Sequence, residues 1–203
     1  MRLPCFLFVV SVSVLAADPV PTVRPAATST SEAGRLGAEY FVQKSGASWV
    51  YLLGDGKTRG HVTLTGIVDW RAQFTFSYGK RSGSGHWRAL NGVWLERSAA
   101  RGDAEAVLLP ATMTRGTRWT GPTSIERAGS TSSVFEVMAL EATVELPSGL
   151  TVEHCLAVLE TAADGSDPWT HYYAPNVGKV AVLSPAGWYS RLLEFRSGSR
   201  HAE

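Results

Sequence analysis

Met138-Ala139-Leu140-Glu141-Ala142-Thr143-Val144-Glu145-Leu146-Pro147-Ser148-Gly149 alternates apolar and polar residues and then reverses. Met138, Leu140, Ala142, Val144 and Leu146 fall on one side, with Glu141, Thr143 and Glu145 on the other. A period of two with one charged face marks a strand buried on one side only. Pro147 fixes its own φ and Gly149 supplies a positive one, so Pro147-Ser148-Gly149 turns the chain back tightly. Upstream the phase slips: Glu136 falls on the apolar side, Phe135 and Val137 on the polar side. A bulge near Val137 or Met138 restores it.

The pattern repeats in both directions. Residues 150–160 read as the return strand, with Leu150, Val152, Leu156 and Val158 on one face and His154 among them. A loop at 162–168 carries the turn signal Asp164-Gly165. Residues 169–174 set Trp169, His171 and Tyr173 against Thr170, Tyr172 and Ala174. Pro175-Asn176-Val177-Gly178 turns into a strand at 179–183, and Ser184-Pro185-Ala186-Gly187 into one at 188–195. Nearer the N-terminus, strands are read at 48–53, 59–70 and 72–78, and 80–85 as a charged loop rich in Gly and Ser. Strands at 86–90 and 93–98 flank Asn91-Gly92, the strongest short hairpin signal. A turn at 101–105 leads to a short strand at 106–109 that Pro110 ends. Gly46-x-x-Trp49 and Gly116-x-x-Trp119 each lead into a strand, with Gly reversing the chain and Trp plugging the edge of the core. Helical periodicity is confined to a weak turn near 31–37. The fold class is all-β: a single antiparallel meander forming a curved, half-open barrel or sandwich.

Arg2 and the apolar run 3–15 have the pattern of a secretory signal peptide ending at residue 17, with small residues for cleavage after Ala16 or Ala17. The run is too short to span a bilayer comfortably, so an exported, periplasmic or secreted chain without a transmembrane span is expected. Residues 18–37 are rich in Pro, Ala, Ser and Thr and read as a tether. The β domain is expected over 38–195 and a polar tail over 196–203. Beyond the leader Cys155 is the only cysteine, which excludes an internal disulfide and favours a buried thiol. Lys plus Arg number 19 and Asp plus Glu 18. The acids Glu136, Glu141, Glu145, Glu153, Glu160, Asp164 and Asp167 lie in a stretch without Lys or Arg, downstream of a basic middle. Cross-strand pairing on a solvated face accounts for both. Basic residues scattered in this way do not make a nucleic-acid footprint.

Five histidines are present without an HxxxH or HExxH pattern, and no GxSxG motif occurs. No catalytic residue, metal or cofactor is therefore expected. Trp169, His171 and Tyr173, which share a face, together with His154, are the candidate ligand-binding residues. The favoured function is a non-enzymatic envelope protein that takes an apolar ligand or a protein partner on a curved sheet. An apolar concavity, rather than a filled core, distinguishes it. Two alternatives differ in kind. A carbohydrate-binding module would present Trp87, Trp94 and Trp188 coplanar on the surface. A hydrolase would use His171 or His154 with Asp167 or Glu153 and a serine. Adjacent strand residues point to opposite faces, so His154 cannot readily activate Cys155.

The stretch from Phe41 to Tyr51, Val144-Glu145-Leu146-Pro147-Ser148-Gly149, Glu153-His154-Cys155 and Tyr172-Tyr173-Ala174-Pro175-Asn176-Val177-Gly178 together resemble a group of exported bacterial β proteins, many of them lipidated. The resemblance spans most of residues 40–183, with Asn176 where the group usually has Gly. It implies a fold similar to the half-open barrels of periplasmic lipoprotein carriers. The chain departs from the group in lacking a lipobox cysteine.

Overall fold

The computed structural model describes residues 34–98, 105–127 and 130–198. The signal peptide and its cleavage site, the tether up to residue 33, the turn at 101–104 and the tail from 199 lie outside the described residues.

The described chain is all-β. It runs β1 (Arg35–Leu36), a 3-10 turn (Gly37–Tyr40), β2 (Ser48–Leu53), β3 (Arg59–Val68), β4 (Arg71–Tyr78), β5 (Arg81–Leu90), β6 (Val93–Ser98), β7 (Glu105–Leu109), β8 (Thr112–Met113), β9 (Arg118–Arg127), β10 (Ser130–Glu145), β11 (Thr151–Ala162), β12 (Trp169–Ala174), β13 (Gly178–Ser184) and β14 (Gly187–Arg196). Twelve strands form one sheet in the order β7-β6-β5-β4-β3-β2-β14-β13-β12-β11-β10-β9, and β1 pairs with β8. Each half of the sheet is a simple up-and-down meander. The halves join where β14 pairs antiparallel with β2. The sheet thus curls into a nearly closed barrel whose seam lies between β7 and β9. The Trp119 indole crosses that seam, donating from Nε1 to the Val107 carbonyl at 3.3 Å. Among the described residues no helix is long and apolar enough to cross a membrane.

The topology gives the barrel two unlike ends. The connections β3–β4, β5–β6, β7–β9, β10–β11 and β12–β13 lie at one end, where the described chain also enters. The N-terminal segment closes this end. The Gly37 N–H donates to the Ala111 carbonyl at 3.3 Å, and the Asn176 N–H to the Glu39 carbonyl at 2.9 Å. Tyr40 is wholly buried. A side chain at Gly37 would not fit, because a Cβ there would lie 2.2 Å from the Pro110 carbonyl oxygen. Arg35–Gly37, read from sequence as tether, are part of this plug, and a 3-10 turn spans Gly37–Tyr40; residues 31–33 of the helical turn expected near 31–37 lie outside the described residues.

Turn chemistry behaves as expected. Asn91 and Gly92 have φ of 49° and 82°, the double left-handed geometry of a two-residue hairpin. Asn176 holds φ 58°, a left-handed turn geometry that Asn tolerates. The register of β10 shifts between Val137 and Ala139. That bulge turns Met138 out to 41% exposure, while Leu140, Ala142, Val144 and Leu146 stay buried. Arg118 pairs across strands with its register partner Glu136, Nε to Oε2 at 2.8 Å.

Four readings are corrected. Residues 80–85 are not a loop, because β5 begins at Arg81. Its small residues make room for rings on the neighbouring strand. Gly83 pairs with Phe76, and a Cβ on Gly83 would lie 2.7 Å from the Phe76 ring. Gly60 does the same for Tyr78, its Cβ position lying 2.3 Å from that ring. His154 does not sit on the apolar face of β11. It takes φ 57° at an irregularity, which swings its side chain out to 68% exposure beside Glu141. Leu150 precedes β11 and is 67% exposed. Strand β12, expected to be buried on one face, has Tyr172 and Ala174 buried opposite His171 and Tyr173. Tyr172 packs in one cluster with Cys155, Ala157 and Ala181, and its ring lies 6.0 Å from that of Trp188.

The Gly60 contact gives a first prediction. Gly60→Ala should lower stability by about 1–3 kcal/mol, since the added methyl group must displace the Tyr78 ring from a packed wall. A urea titration checks this; an unchanged midpoint would show that the ring yields freely.

Candidate functional site

Strand alternation aims every second side chain of the curled sheet inward. The inward residues do not fill the barrel. Trp49 and Tyr51 of β2, Val62 of β3, Phe74, Phe76 and Tyr78 of β4, Trp87 of β5, Trp94 and Glu96 of β6, His171 and Tyr173 of β12, Lys179 and Val182 of β13 and Ser190 of β14 all line a cavity of about 250 Å³. The rings brace one another. Phe74 stacks on Trp87 at 4.3 Å, and Trp87 meets Trp49 at 5.6 Å and Trp94 at 5.9 Å, both edge to face. Tyr173 lies 5.9 Å from Trp94 on the far side.

The cavity opens away from the N-terminal plug. Its exposed lining residues, Arg81 and Tyr189, follow the β4–β5 and β13–β14 connections, which lie at the opposite end. Lys179 Nζ is 5.6 Å from the centroid of the Tyr173 ring. Several wall donors are engaged by the protein itself. Trp49 Nε1 donates to the Val177 carbonyl at 2.6 Å, and Trp87 Nε1 to Glu96 Oε2 at 3.3 Å. The Tyr51 hydroxyl donates to the Lys179 carbonyl at 2.9 Å. Burial pushes the Tyr51 and Tyr78 hydroxyls well above the ordinary tyrosine range, so both remain neutral.

Behind the wall is a polar cluster. Glu160 of β11 is completely buried. Its Oε2 lies 2.8 Å from His171 Nε2, and its Oε1 accepts from Ser133 Oγ at 2.8 Å and Thr123 Oγ1 at 3.0 Å. The carboxylate therefore fixes the imidazole in the cavity wall. Sequence reading grouped Glu160 with the solvated acids, and this is corrected. The signal was available, because Glu160 is in phase with Leu156 and Val158.

The four residues singled out by sequence separate. His171 and Tyr173 line the cavity. Trp169 stands beside it, its ring 5.1 Å from that of Tyr189 and its Nε1 donating to Asp167 Oδ1 at 3.1 Å. His154 lies apart, paired with Glu141, which also holds Arg35. Cys155 is buried, and desolvation pushes its thiol up to about 12. That makes it an inert core group rather than a nucleophile. Ser133 gives its hydroxyl to the carboxylate of Glu160. Among the described residues no three His, Cys, Asp or Glu side chains are grouped to hold a metal ion.

Comparison with protein-family models, with curated proteins and with solved structures finds no match for the chain.

Proposed function

We propose that the protein acts by binding rather than catalysis, taking a small apolar or amphipathic molecule into the barrel. The aromatic cavity is the observation that carries this reading. At about 250 Å³ it exceeds the ~150 Å³ that accommodates benzene and falls just short of the ~300–1,000 Å³ usual for drug-sized ligands. One ring system or one short chain fits it, and a many-chained lipid buried whole does not. The leader-like N-terminus supports action in the bacterial envelope or outside the cell, as does the resemblance to half-barrel carriers. The carbohydrate-module reading draws less support, because Trp87 and Trp94 face the cavity at 85° to each other and form no flat platform. Trp188 is occupied by Tyr172 and by Arg191, whose guanidinium lies 5.4 Å from its ring.

The test uses the protein purified from its own source without detergent. Native mass spectrometry before and after organic extraction should reveal a stoichiometric small molecule. Readdition of an apolar fluorophore to the extracted protein should quench Trp emission, since Trp49, Trp87 and Trp94 surround the site. A bare chain whose emission ignores every apolar probe overturns the reading.

A further inference from the structure

The apolar side chains left in water are not spread evenly. Five of the eight large ones exposed among the described residues, Leu36, Ile67, Val68, Trp70 and Leu90, stand on or beside the β3–β4 and β5–β6 hairpins at the plugged end. Strands β4 and β5 are paired, Ala72 with Trp87, so the two tips lie side by side. Trp70 is the sharpest case. It is 84% exposed and holds φ 61°, directly after Asp69 at φ 48°. This is the geometry of a two-residue hairpin turn that favours Gly at its second position, and a bulky residue there is strained. Burial repays none of that strain, which is the mark of a residue kept for function. Gln43 Nε2 donates to the Trp70 carbonyl at 3.3 Å and holds the tip.

Behind the tips the outer face of the barrel is basic. The alternation that aims Ala72, Trp87 and Glu96 inward sends Arg71, His86, Arg88 and Arg97 outward. His86 pairs in register with Arg97. Desolvation and then the Arg71 charge lower the His86 imidazole below its ordinary value, with Arg97 and Arg88 adding to this and Glu105 opposing it. Glu105 is engaged by Arg88, whose Nε lies 2.7 Å from its Oε1. Exposed Lys44, next to Gln43, adds a further cation. Against these stand the acids Glu105 and, in the turn, Asp69, so the face keeps a positive excess.

We propose that this end docks the protein on an anionic lipid surface, with Trp70, Val68 and Leu90 entering the headgroup region and the arginine band facing the lipid phosphates. Apolar tips backed by arginine match such a surface both in apolar depth and in charge. Trp suits the boundary, because it joins an apolar body to a polar N–H. Guanidinium groups suit the phosphates, which they can meet through two parallel hydrogen bonds. Separate tips on two hairpins do not make the continuous apolar centre of a protein–protein interface. The proposal is independent of any ligand in the barrel. It sets the plugged end against the bilayer and the cavity mouth away from it.

The test sediments the protein, purified from its own source, with vesicles of phosphatidylcholine alone and of phosphatidylcholine mixed equally with phosphatidylglycerol. Binding to the mixed vesicles should be about tenfold tighter than to the neutral ones, and added salt should reduce it. Trp70→Gly gives the turn its preferred residue. It should keep or raise the urea midpoint and bind the mixed vesicles about tenfold more weakly. Arg71→Gln combined with Arg97→Gln should bring binding to the mixed vesicles down to the neutral level. Wild-type protein that stays in the supernatant with the mixed vesicles overturns the proposal and leaves a protein partner as the occupant to seek. Undiminished binding by Trp70→Gly places the contact elsewhere and overturns it. A lower midpoint for that variant overturns it too, because Trp70 then serves the fold. Arginine variants that bind the mixed vesicles as tightly as the wild type overturn the choice of an anionic surface.

Discussion

Raising the pH above 10 should unfold this protein cooperatively, and its buried tyrosines should ionise only as it unfolds. Burial pushes the Tyr40 hydroxyl up to about 12, Tyr51 and Tyr78 well above their usual value of 10, and the Cys155 thiol up to about 12. In each case loss of water around the charged form is the main cause, and the neutral form is the protonated one. The folded chain therefore keeps these protons to higher pH than the unfolded chain. Between the unfolded values, near 9 and 10, and the folded ones, the native state binds more protons, so rising pH favours unfolding. The stabilisation is fully present below the unfolded values and is lost as pH climbs toward 12. At about 1.4 kcal/mol per pK unit, Tyr40 and Cys155 contribute roughly 3 and 4 kcal/mol, comparable in sum to the ~5–15 kcal/mol that holds a domain folded. Absorbance of tyrosinate and far-ultraviolet circular dichroism, recorded on the same pH series, check this. Coincident transitions between pH 10 and 12 are expected. A smooth rise of tyrosinate with the sheet signal intact would show that the hydroxyls reach water in the native barrel.

The alkaline behaviour follows from a barrel interior that sequence disclosed only in part. Turn chemistry is local, and it was legible. Asn91-Gly92, Pro147-Ser148-Gly149 and Asn176 each specify a backbone geometry that no distant residue needs to supply. Face-sharing was legible too, because alternation places His171 with Tyr173 whatever the sheet does next. Closure was not. The pairing of β14 with β2 joins residues such as Leu192 and Tyr51, and nothing in the alternation of either strand names the other. Without closure, the sequence leaves open which side of the sheet becomes the inside, so Glu160 passed as a solvated acid although its phase matched Leu156 and Val158. The reading of 80–85 as a loop failed for a related reason. Gly and Ser there signal flexibility when taken alone, and make room for rings when Phe76 lies opposite.

Glu160→Ala should be strongly destabilising, costing about 3 kcal/mol or more, because it removes the buried group on which three hydrogen bonds converge. The loss is more than one contact. His171, Ser133 and Thr123 all hydrogen-bond this carboxylate. Its removal withdraws the acceptor from two hydroxyls and the partner from one imidazole nitrogen, where water does not easily replace them. Glu160→Gln separates geometry from charge. Its amide oxygen still accepts from Ser133 and Thr123, and its amide nitrogen occupies the place facing His171, so a smaller loss is expected. Denaturant midpoints for the two variants provide the check. Equal losses would show that charge, not the hydrogen-bond geometry, holds the cluster together, and no loss in either would remove Glu160 from the supports of the cavity wall. The functional consequence takes the same order. Glu160 holds the His171 ring in the cavity wall through Nε2, so a folded Glu160→Gln protein should keep its affinity for an apolar probe. A Glu160→Ala protein that still folds should lose affinity, as the imidazole is freed to fill the space where the ligand would lie.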